Sequence, residues 1–161
     1  MERAATSRCH TQVCPGAAPA ALIAGFVMDI TTMRARVAHA RVARLATVRP
    51  GGRPHVVPCC FVLSDEVVYS AVDAKPKSTI VLRRLDNIRA VPWAVMLVDH
   101  YADDWSELWW VRIDGRARII DSGLEFDHAL RLLAGKYEQY LRDAPPGPVI
   151  ALDITGWRAW P

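Results

Sequence analysis

One segment of the chain alternates strictly between apolar and charged residues. From Val111 to Ile119 every odd position is apolar or small, and every even position from Arg112 to Arg118 is charged. A period of two places successive side chains on opposite faces of a sheet. The pattern predicts a long strand that begins near Trp109, with one buried and one solvated face.

Five shorter segments are rich in apolar and β-branched residues and are bounded by turn residues. The segment "HVVPCCFVL" is apolar at consecutive positions, which indicates a strand covered on both faces. Pro58 lies inside it, so we expect that strand at an edge or a bulge of the sheet. The five segments are 42–48, 55–63, 67–72, 92–101 and 148–154.

Helical patterns occur in three places. Thr31 or Thr32 could serve as the N-cap of a short helix, and the segment 77–85 fits one to two turns. Ser122 and Glu125 have the spacing of a capping box and begin a longer helix that ends before two prolines. The apolar positions of this longer helix are Phe126, Leu130, Leu133, Tyr137 and Leu141.

These elements predict a mainly β protein, a small six-stranded β-barrel with flanking helices. Residues 31–161 are long enough for one such domain with its own core. Six strands enclose too little volume for a deep pocket. We therefore expect any sizeable ligand on the outer wall or at a subunit interface.

Residues 1–30 differ from the rest of the chain. Their apolar run of roughly a dozen residues is too short to span a bilayer, and no small-x-small cleavage site precedes Asp29. We interpret residues 1–30 as a disordered leader or as the product of an upstream start, with Met28 or Met33 as the working initiator. Stable membrane insertion is not expected.

Composition and charge narrow the function classes. The 161 residues are 52% hydrophobic and 23% charged, with a net charge of +3. This mild balance suits a small anionic ligand, whereas nucleic-acid binding calls for a concentrated basic face. The six arginines between Arg34 and Arg53 alternate with apolar residues, which is typical of a solvated helix face.

The cysteines do not form a disulfide framework. Cys59 and Cys60 are adjacent and cannot pair without strain, so we expect a reducing, cytoplasmic setting. Cys9, His10 and Cys14 could in principle hold a metal ion, but no second ligand cluster completes a site. We predict no metal site.

Familiar catalytic motifs are absent. The sequence has no nucleophile elbow, zinc-protease motif, P-loop or dinucleotide fingerprint, and we assign no catalytic residue. Asp103, Asp104 and Glu107 fit an exposed acidic loop. Among the histidines, His55 is notable because it enters the predicted second strand.

The stretch "YSAVDAKPKSTIVLRRL" places two lysines between a strand and a helix. Backbone N–H groups at a helix N-terminus favour anions; Lys75 and Lys77 add positive charge, and Ser78 adds a hydroxyl. A phosphate-bearing ligand fits this arrangement. The alternative is a turn with two solvated lysines.

Taken in order, several stretches resemble the split β-barrel proteins related to pyridoxamine-phosphate oxidase, and within them the actinobacterial deazaflavin branch that uses coenzyme F420. The runs "HYADDWSELWWVR" and "DAKPK" are the most specific. The other matching pieces are "VARLATV", "GGRPHVVPCCF" and "APPGPVIALDITGWRAW". The resemblance implies an FMN-binding split barrel type of fold and a homodimer with two cofactor sites at its interface.

The resemblance also implies which residues contact the cofactor. The second strand would lay its backbone along the deazaflavin ring, at His55, Val56, Val57 and Pro58. The third strand and its exit would contact the ribityl chain and phosphate, at Tyr69, Ser70, Ala71, Lys75, Lys77 and Ser78. Trp109, Trp110 and Arg112 would either reach the neighbouring subunit's site or pack in the dimer interface. Pro76 separates lysines that are more often adjacent in relatives, so the lysine that meets the phosphate stays open.

The activity implied is an oxidoreductase that transfers hydride from reduced coenzyme F420 to an unsaturated small-molecule substrate. One alternative is an FMN-binding oxidase or reductase of the same fold. The other is a non-catalytic cofactor- or ligand-binding protein. A nucleic-acid partner is not expected, because the tryptophans lie in an alternating strand rather than among clustered basic residues.

Overall fold

A computed structural model describes residues 28–73 and 82–161 of the chain. Its central feature is an antiparallel sheet of seven strands, curled into a half-barrel, in the order β2-β1-β5-β6-β7-β4-β3. The strands are β1 Ala43–Val48, β2 Pro54–Cys59, β3 Val62–Ser64, β4 Val67–Ala71, β5 Trp93–His100, β6 Trp109–Ile120 and β7 Val149–Trp160. The prediction of a mainly β barrel with flanking helices is confirmed.

The helices cover the ends and one side of this sheet. They are α1 Ile30–His39, α2 Arg83–Ala90, a 3₁₀ turn Trp105–Glu107, α3 Leu124–Lys136 and α4 Gln139–Arg142. Val37 of α1 and Ile88 of α2 join the core inside the barrel. Ala129 of α3 packs instead on the outer face, against Tyr69 and Val149. The outer faces of β2 and β5 carry the exposed apolar side chains Val56 and Trp93, and the outer face of β1 between them carries half-buried ones, which matters for the site.

The predicted second strand divides into β2 and β3, which raises the strand count from six to seven. The chain leaves the ladder at Cys60 and Phe61, where the Tyr137 hydroxyl bonds the backbone of Phe61. Pro58 was expected at an edge or bulge. The edge position is confirmed, because β2 is the outermost strand in the sheet order and, among the described strands, pairs only with β1.

The alternating strand is confirmed as β6. Val111 and Ile113 are fully buried, whereas Arg112 is exposed. Its neighbour β7 extends to Trp160, six residues beyond the predicted end, and pairs along the length of β6. The register shifts at Gly115, where an added Cβ would lie 2.5 Å from the Asp153 carbonyl oxygen.

Both predicted helix N-caps are wrong. Asp29 caps α1, since its carboxylate accepts from the Thr32 backbone N–H at 2.9 Å and from the Thr32 hydroxyl at 2.7 Å. Helix α3 has Gly123 at its N-cap, with no side-chain bond. Asp29 is the N-cap of α1 rather than Thr31 or Thr32, because its carboxylate can accept hydrogen bonds from the Thr32 N–H and the Thr32 hydroxyl at once.

Glu125 makes no capping box because it is engaged elsewhere. Its carboxylate accepts from two nitrogens of Arg118, at 2.6 and 2.7 Å, and from the Tyr69 hydroxyl at 2.9 Å. Arg118 also donates to Asp153 at 2.9 Å. The guanidinium of Arg118 lowers the pKa of Glu125. This network ties α3 to β4, β6 and β7.

The longest predicted helix is shorter than expected. It ends at Lys136, so Tyr137 lies outside it, and Leu141 belongs to the short α4 with an exposed side chain. Helix α2 begins at Arg83, within the predicted helix 77–85; residues 77–81 of that prediction lie outside the described residues. Of the predicted leader 1–30, residues 1–27 also lie outside the described residues, whereas Asp29 is the N-cap of α1 and Ile30 its first residue.

Neither a membrane span nor a metal cluster is found in the parts that the structure describes. No helix there is both long and apolar enough to cross a bilayer. No group of three or more His, Cys, Asp or Glu side chains could hold a metal ion there. Cys9, His10 and Cys14 fall in the leader, so that possibility lies outside these residues.

Candidate functional site

The ends of β2 and β4 meet at a cavity of about 320 Å³. Burial raises the pKa of the Cys59 thiol to about 11, and the nearby Ser70 hydroxyl on β4 acts in the opposite direction. Among the described residues, the lining is formed by Pro58, Cys59, Cys60, Ala71, Asp73, Arg84 and Tyr140. The structure thus brings together predicted site residues from two strands. We call this cavity the β2–β4 cleft.

His55 lies four residues along β2 from Cys59, within the influence of three positively charged side chains. Burial lowers the pKa of His55, and the positive charges of Arg49, Arg83 and Arg84 lower it further. The imidazole is therefore neutral at pH 7. Arg84 also lines the cleft, so the positive field extends from His55 to the cleft.

Two buried polar atoms in this region lack hydrogen-bond partners among the described residues. They are His55 Nδ1 and Arg49 Nε. Buried polar atoms without partners are rare in folded proteins and call for an explanation. A phosphate or carboxylate ligand would supply acceptors for a guanidinium donor, and the surrounding positive charge would favour it. The residues present therefore fit an anionic cofactor.

The predicted residues of β2 divide between two faces. His55 pairs with the buried Thr47, and Val57 packs against the barrel core, so both point inward. Val56 points outward and is 59% exposed. A planar ring laid against the outside of β2 would contact Val56 and Pro58.

The outside of the sheet near Val56 is apolar. Trp93 on β5 is 54% exposed, and a shallow cavity of about 300 Å³ lies beside it, lined in part by Ala46, Pro54 and Val95. We call this surface the outer wall and define it by Ala46, Val48, Pro54, Val56, Trp93 and Val95. Exposed apolar patches of this kind are typical of interaction sites.

The predicted site residues of β4 also divide, between the cleft and the surface under α3. Ser70 is buried against Cys59, and Ala71 lines the cleft. The Tyr69 side chain packs under α3 and donates to Glu125, so only its backbone is directed along β4 toward the cleft. The predicted phosphate residues Lys75, Lys77 and Ser78 lie outside the described residues.

Arg112 does not line the cleft of its own chain. It lies on the same rung of the sheet as Pro58, with Arg44 and Leu97 between them. Two intervening strands put these backbones about 14 Å apart along the sheet, at about 4.8 Å per strand.

The two predicted tryptophans also lie away from the cleft. Trp109 sits under the Arg36 guanidinium, 4.9 Å from its ring centre, and stacks on His100. Trp110 pairs across the ladder with Trp160. Within one chain, both tryptophans therefore belong to a different part of the surface.

Sequence reasoning missed three arginines of the site. Arg49 was grouped with a solvated helix face, although it follows β1 rather than lying in a helix. Arg83 and Arg84 follow the lysine motif directly in "VLRRL", and that continuity of basic residues was the available signal. Asp103, Asp104 and Glu107 are exposed, as expected, and Asp104 caps the 3₁₀ turn by accepting from Ser106.

Solved structures show the same fold at low sequence identity. A conserved hypothetical protein of Mycobacterium tuberculosis has a TM-score of 0.65 and 19% identity, covering 83% of this chain and 85% of that chain. A protein of Mesorhizobium loti described as FAD-binding has a TM-score of 0.64 and 21% identity, with 83% and 94% covered. The heme storage protein HutZ of Vibrio cholerae has a TM-score of 0.63 and 16% identity, with 80% and 90% covered.

These identities are low enough that the structural likenesses speak for the fold alone. A search of curated protein sequences finds no significant match. The family model for pyridoxamine 5'-phosphate oxidase, however, matches residues 30–161, which include the whole sheet and both cleft strands. The chain belongs to the pyridoxamine 5'-phosphate oxidase family.

Proposed function

We propose that this protein is an oxidoreductase that binds coenzyme F420 in the β2–β4 cleft and against the outer wall. The observation that carries the proposal is Arg84, which lines the cleft; its positive charge, with those of Arg49 and Arg83, also acts on His55, whose Nδ1 has no hydrogen-bond partner among the described residues. A cofactor with a phosphate and carboxylates would meet these charges. The lysine segment 75–77, which follows β4, would add to them.

The outer wall supports a homodimer. Val56 and Trp93 expose much of their apolar surface, and a second copy packed there would remove it from water. The cofactor ring would then lie between the two subunits. Trp109, Trp110 and Arg112 would serve a cleft only as residues contributed by the second copy.

The chain's own residues would bind, orient and shield the cofactor. Arg84 would pair with its anionic groups, and the neutral His55 would offer a hydrogen bond without adding charge. Val56 and Pro58 would set the plane of the ring, while Trp93 would exclude water from it. When bound, a reduced deazaflavin supplies hydride for an unsaturated small molecule. No side chain is assigned as acid or base, so the accompanying proton comes from solvent or a neighbouring group.

FMN is the second candidate cofactor. The family model is that of an oxidase of pyridoxamine 5'-phosphate, and one protein of the same fold is described as FAD-binding. A flavin phosphate would meet the same arginines, so the cleft fits either cofactor. Under this alternative the protein is a flavin-dependent oxidase or reductase.

The test is a titration of cofactor-free protein with coenzyme F420 and, separately, with FMN, followed by fluorescence or calorimetry. Micromolar or tighter binding of coenzyme F420, with FMN much weaker, supports the proposal. A preference for FMN moves the function to flavin chemistry. Binding of neither overturns both. Tight binding with no turnover of a broad substrate panel would instead make the protein a carrier.

A further inference from the structure

Two adjoining cavities lie at the end of the sheet formed by α1 and the β5–β6 connection. One has a volume of about 430 Å³ and the other about 320 Å³. They share Asp99, His100 and Trp109 but no lining residue with the β2–β4 cleft. The first, lined by Arg36, Arg41 and Arg44, we call the cationic cavity; the second is the aromatic cavity.

The aromatic cavity is walled by ring systems. They belong to Tyr101, Trp105, Trp109, Trp110 and Trp160. Tyr101 is 80% exposed and Trp105 78% exposed, although burying such rings is strongly favourable. Exposed aromatic clusters of this kind mark binding surfaces. Their flat faces suit a planar, apolar ligand.

The cationic cavity carries positive charge that its own carboxylate does not balance. Asp99 accepts from Arg44, so that pair is neutral. Arg36 lies over Trp109 and contacts the Met28 sulfur at 3.7 Å. Arg41 donates to the Lys136 carbonyl. Neither Arg36 nor Arg41 has a carboxylate partner in the described part of the chain.

We propose that the two cavities form one binding site for a planar aromatic anion. The ring system of the ligand occupies the aromatic cavity, between Trp105 and Trp110, and its anionic group lies toward Arg36 and Arg41. Stacking and charge pairing then act at opposite ends of one molecule. Neither cavity alone accounts for this combination of an apolar cup and unbalanced guanidinium groups.

The site is independent of the cofactor proposal in its ligand chemistry. In the homodimer proposed above, a second copy's cleft placed beside this site would make its ligand the hydride acceptor. The binding measurement below uses the protein without cofactor. Failure of this proposal would therefore leave the cofactor titration unaffected, and the reverse also holds.

The experiment compares two fluorescent probes with closely related ring systems. 8-Anilinonaphthalene-1-sulfonate carries an anionic group, whereas N-phenyl-1-naphthylamine is neutral. At low salt we expect one sulfonate probe bound per chain, with an affinity at least about tenfold above that of the neutral probe. Added salt should narrow this difference, because it screens the charges. Equal affinities without salt dependence would overturn the proposal.

Variants locate the two halves of the site. Arg36→Met should weaken the sulfonate probe about tenfold and leave the neutral probe unchanged, since a charge-assisted contact is lost. Trp105→Ala should weaken both probes. The matched controls are Trp93→Ala, an exposed tryptophan outside both cavities, and Arg131→Met, an exposed arginine on α3; neither should change binding.

Three further outcomes would overturn the site. The first is an equal loss of binding in Trp93→Ala and Trp105→Ala. The second is displacement of the sulfonate probe by coenzyme F420 or FMN in direct competition, which would put the probe in the cofactor site. The third is a fall in probe binding as the protein dimerises, followed by sedimentation, which would give the aromatic cavity to a second copy. The comparison of the two probes on the unmodified protein remains decisive even if a variant fails to fold.

Discussion

The Tyr137 hydroxyl takes the place of a strand partner for Phe61. It accepts from the Phe61 N–H at 2.9 Å and lies 2.8 Å from the Phe61 carbonyl oxygen, to which it can donate. Phe61 is fully buried where the chain passes from β2 to β3. Buried backbone groups need partners, and here one side chain from beyond α3 serves both.

Replacing Tyr137 with Phe should lower the free energy of unfolding by about 1–3 kcal/mol, because a buried N–H loses its acceptor. Urea denaturation measures the change. Tyr101→Phe is the matched control; its ring is 80% exposed, and its effect should stay within about 0.5 kcal/mol. Equal effects of the two variants would contradict the role of the hydroxyl.

Lys136 should make stability depend on alkaline pH. Its Nζ lies 4.1 Å from the Phe61 ring centre and is buried without a hydrogen-bond partner in the described part of the chain. Burial, followed by the charge of Arg41, lowers the pKa of Lys136 from 10.5 to about 8; Cys60 acts in the opposite direction. Between these values the unfolded chain binds more protons than the folded one, so stability rises with pH.

The measurement is the urea midpoint at pH 7, 8, 9 and 10 for the unmodified protein and for Lys136→Met. From pH 8 to 10 the stability of the unmodified protein should rise relative to that of the variant, because Cys59, Tyr137 and Tyr140 titrate alike in both proteins. The variant should also be the more stable of the two at pH 7, where burying the charged Lys136 ammonium costs desolvation free energy. Parallel pH profiles for the two proteins would show that Lys136 is solvated.

Two glycines should respond to alanine with opposite signs. A Cβ at Gly115 would lie 2.5 Å from the Asp153 carbonyl oxygen and 2.8 Å from Leu152 Cδ1, so Gly115→Ala should cost about 1–3 kcal/mol through overpacking. Gly135 lies in α3 with no atom within 4 Å of an added Cβ. Gly135→Ala should therefore add about 0.5–1 kcal/mol of stability. Thermal unfolding of both variants checks the signs, and a shift in the same direction would count against the close approach of β6 and β7.

Arg84 should contribute to cofactor affinity if the cleft is the cofactor site. Arg84→Gln should weaken binding of the preferred cofactor by about 1–3 kcal/mol, since a charged hydrogen bond is lost. Arg142→Gln, on the exposed face of α4, is the control and should leave the affinity unchanged. Calorimetric titration distinguishes them, and an unchanged affinity in Arg84→Gln would remove the cleft assignment.

The lysine segment can be tested in the same titration. Replacing Lys75 and Lys77 together with alanine should weaken cofactor binding by about 1–3 kcal/mol for each charged hydrogen bond lost. Single replacements would show which lysine matters more. Full affinity in the double variant would leave the segment as a solvated turn.

The predictable parts of the fold are those in which local pattern and tertiary environment agree. The alternation along β6 indicates its two faces directly, and Pro58 marks an edge because it lacks an N–H. The break between β2 and β3 could not be predicted, since the hydroxyl that permits it is 76 residues away. The capping box at Ser122 and Glu125 was wrongly predicted for a related reason: Glu125 pairs with Arg118 on β6, and the local sequence does not show that this arginine lies nearby.

The candidate site divides in the same way. The strands that carry it were predicted, because His55 to Pro58 and Tyr69 to Ala71 lie in clear extended segments. The contribution of Arg49 and Arg84 was not, since it depends on how α2 packs against β1. The tryptophans show the limit of an alternating pattern, which gives the face of a residue but not its distance from another strand.

The edge of β2 also limits how this protein can associate. Pro54 and Pro58 are an even number of residues apart, so their ring nitrogens lie on the same side of β2. A proline has no N–H to donate to a neighbouring strand, so this side faces away from β1, toward the open edge. Of positions 54, 56 and 58, only Val56 has an N–H to offer an incoming strand. At the other edge, β3 has only three residues. Continuing the sheet from one molecule into the next is therefore disfavoured, so the homodimer that we propose would form through the faces of the sheet.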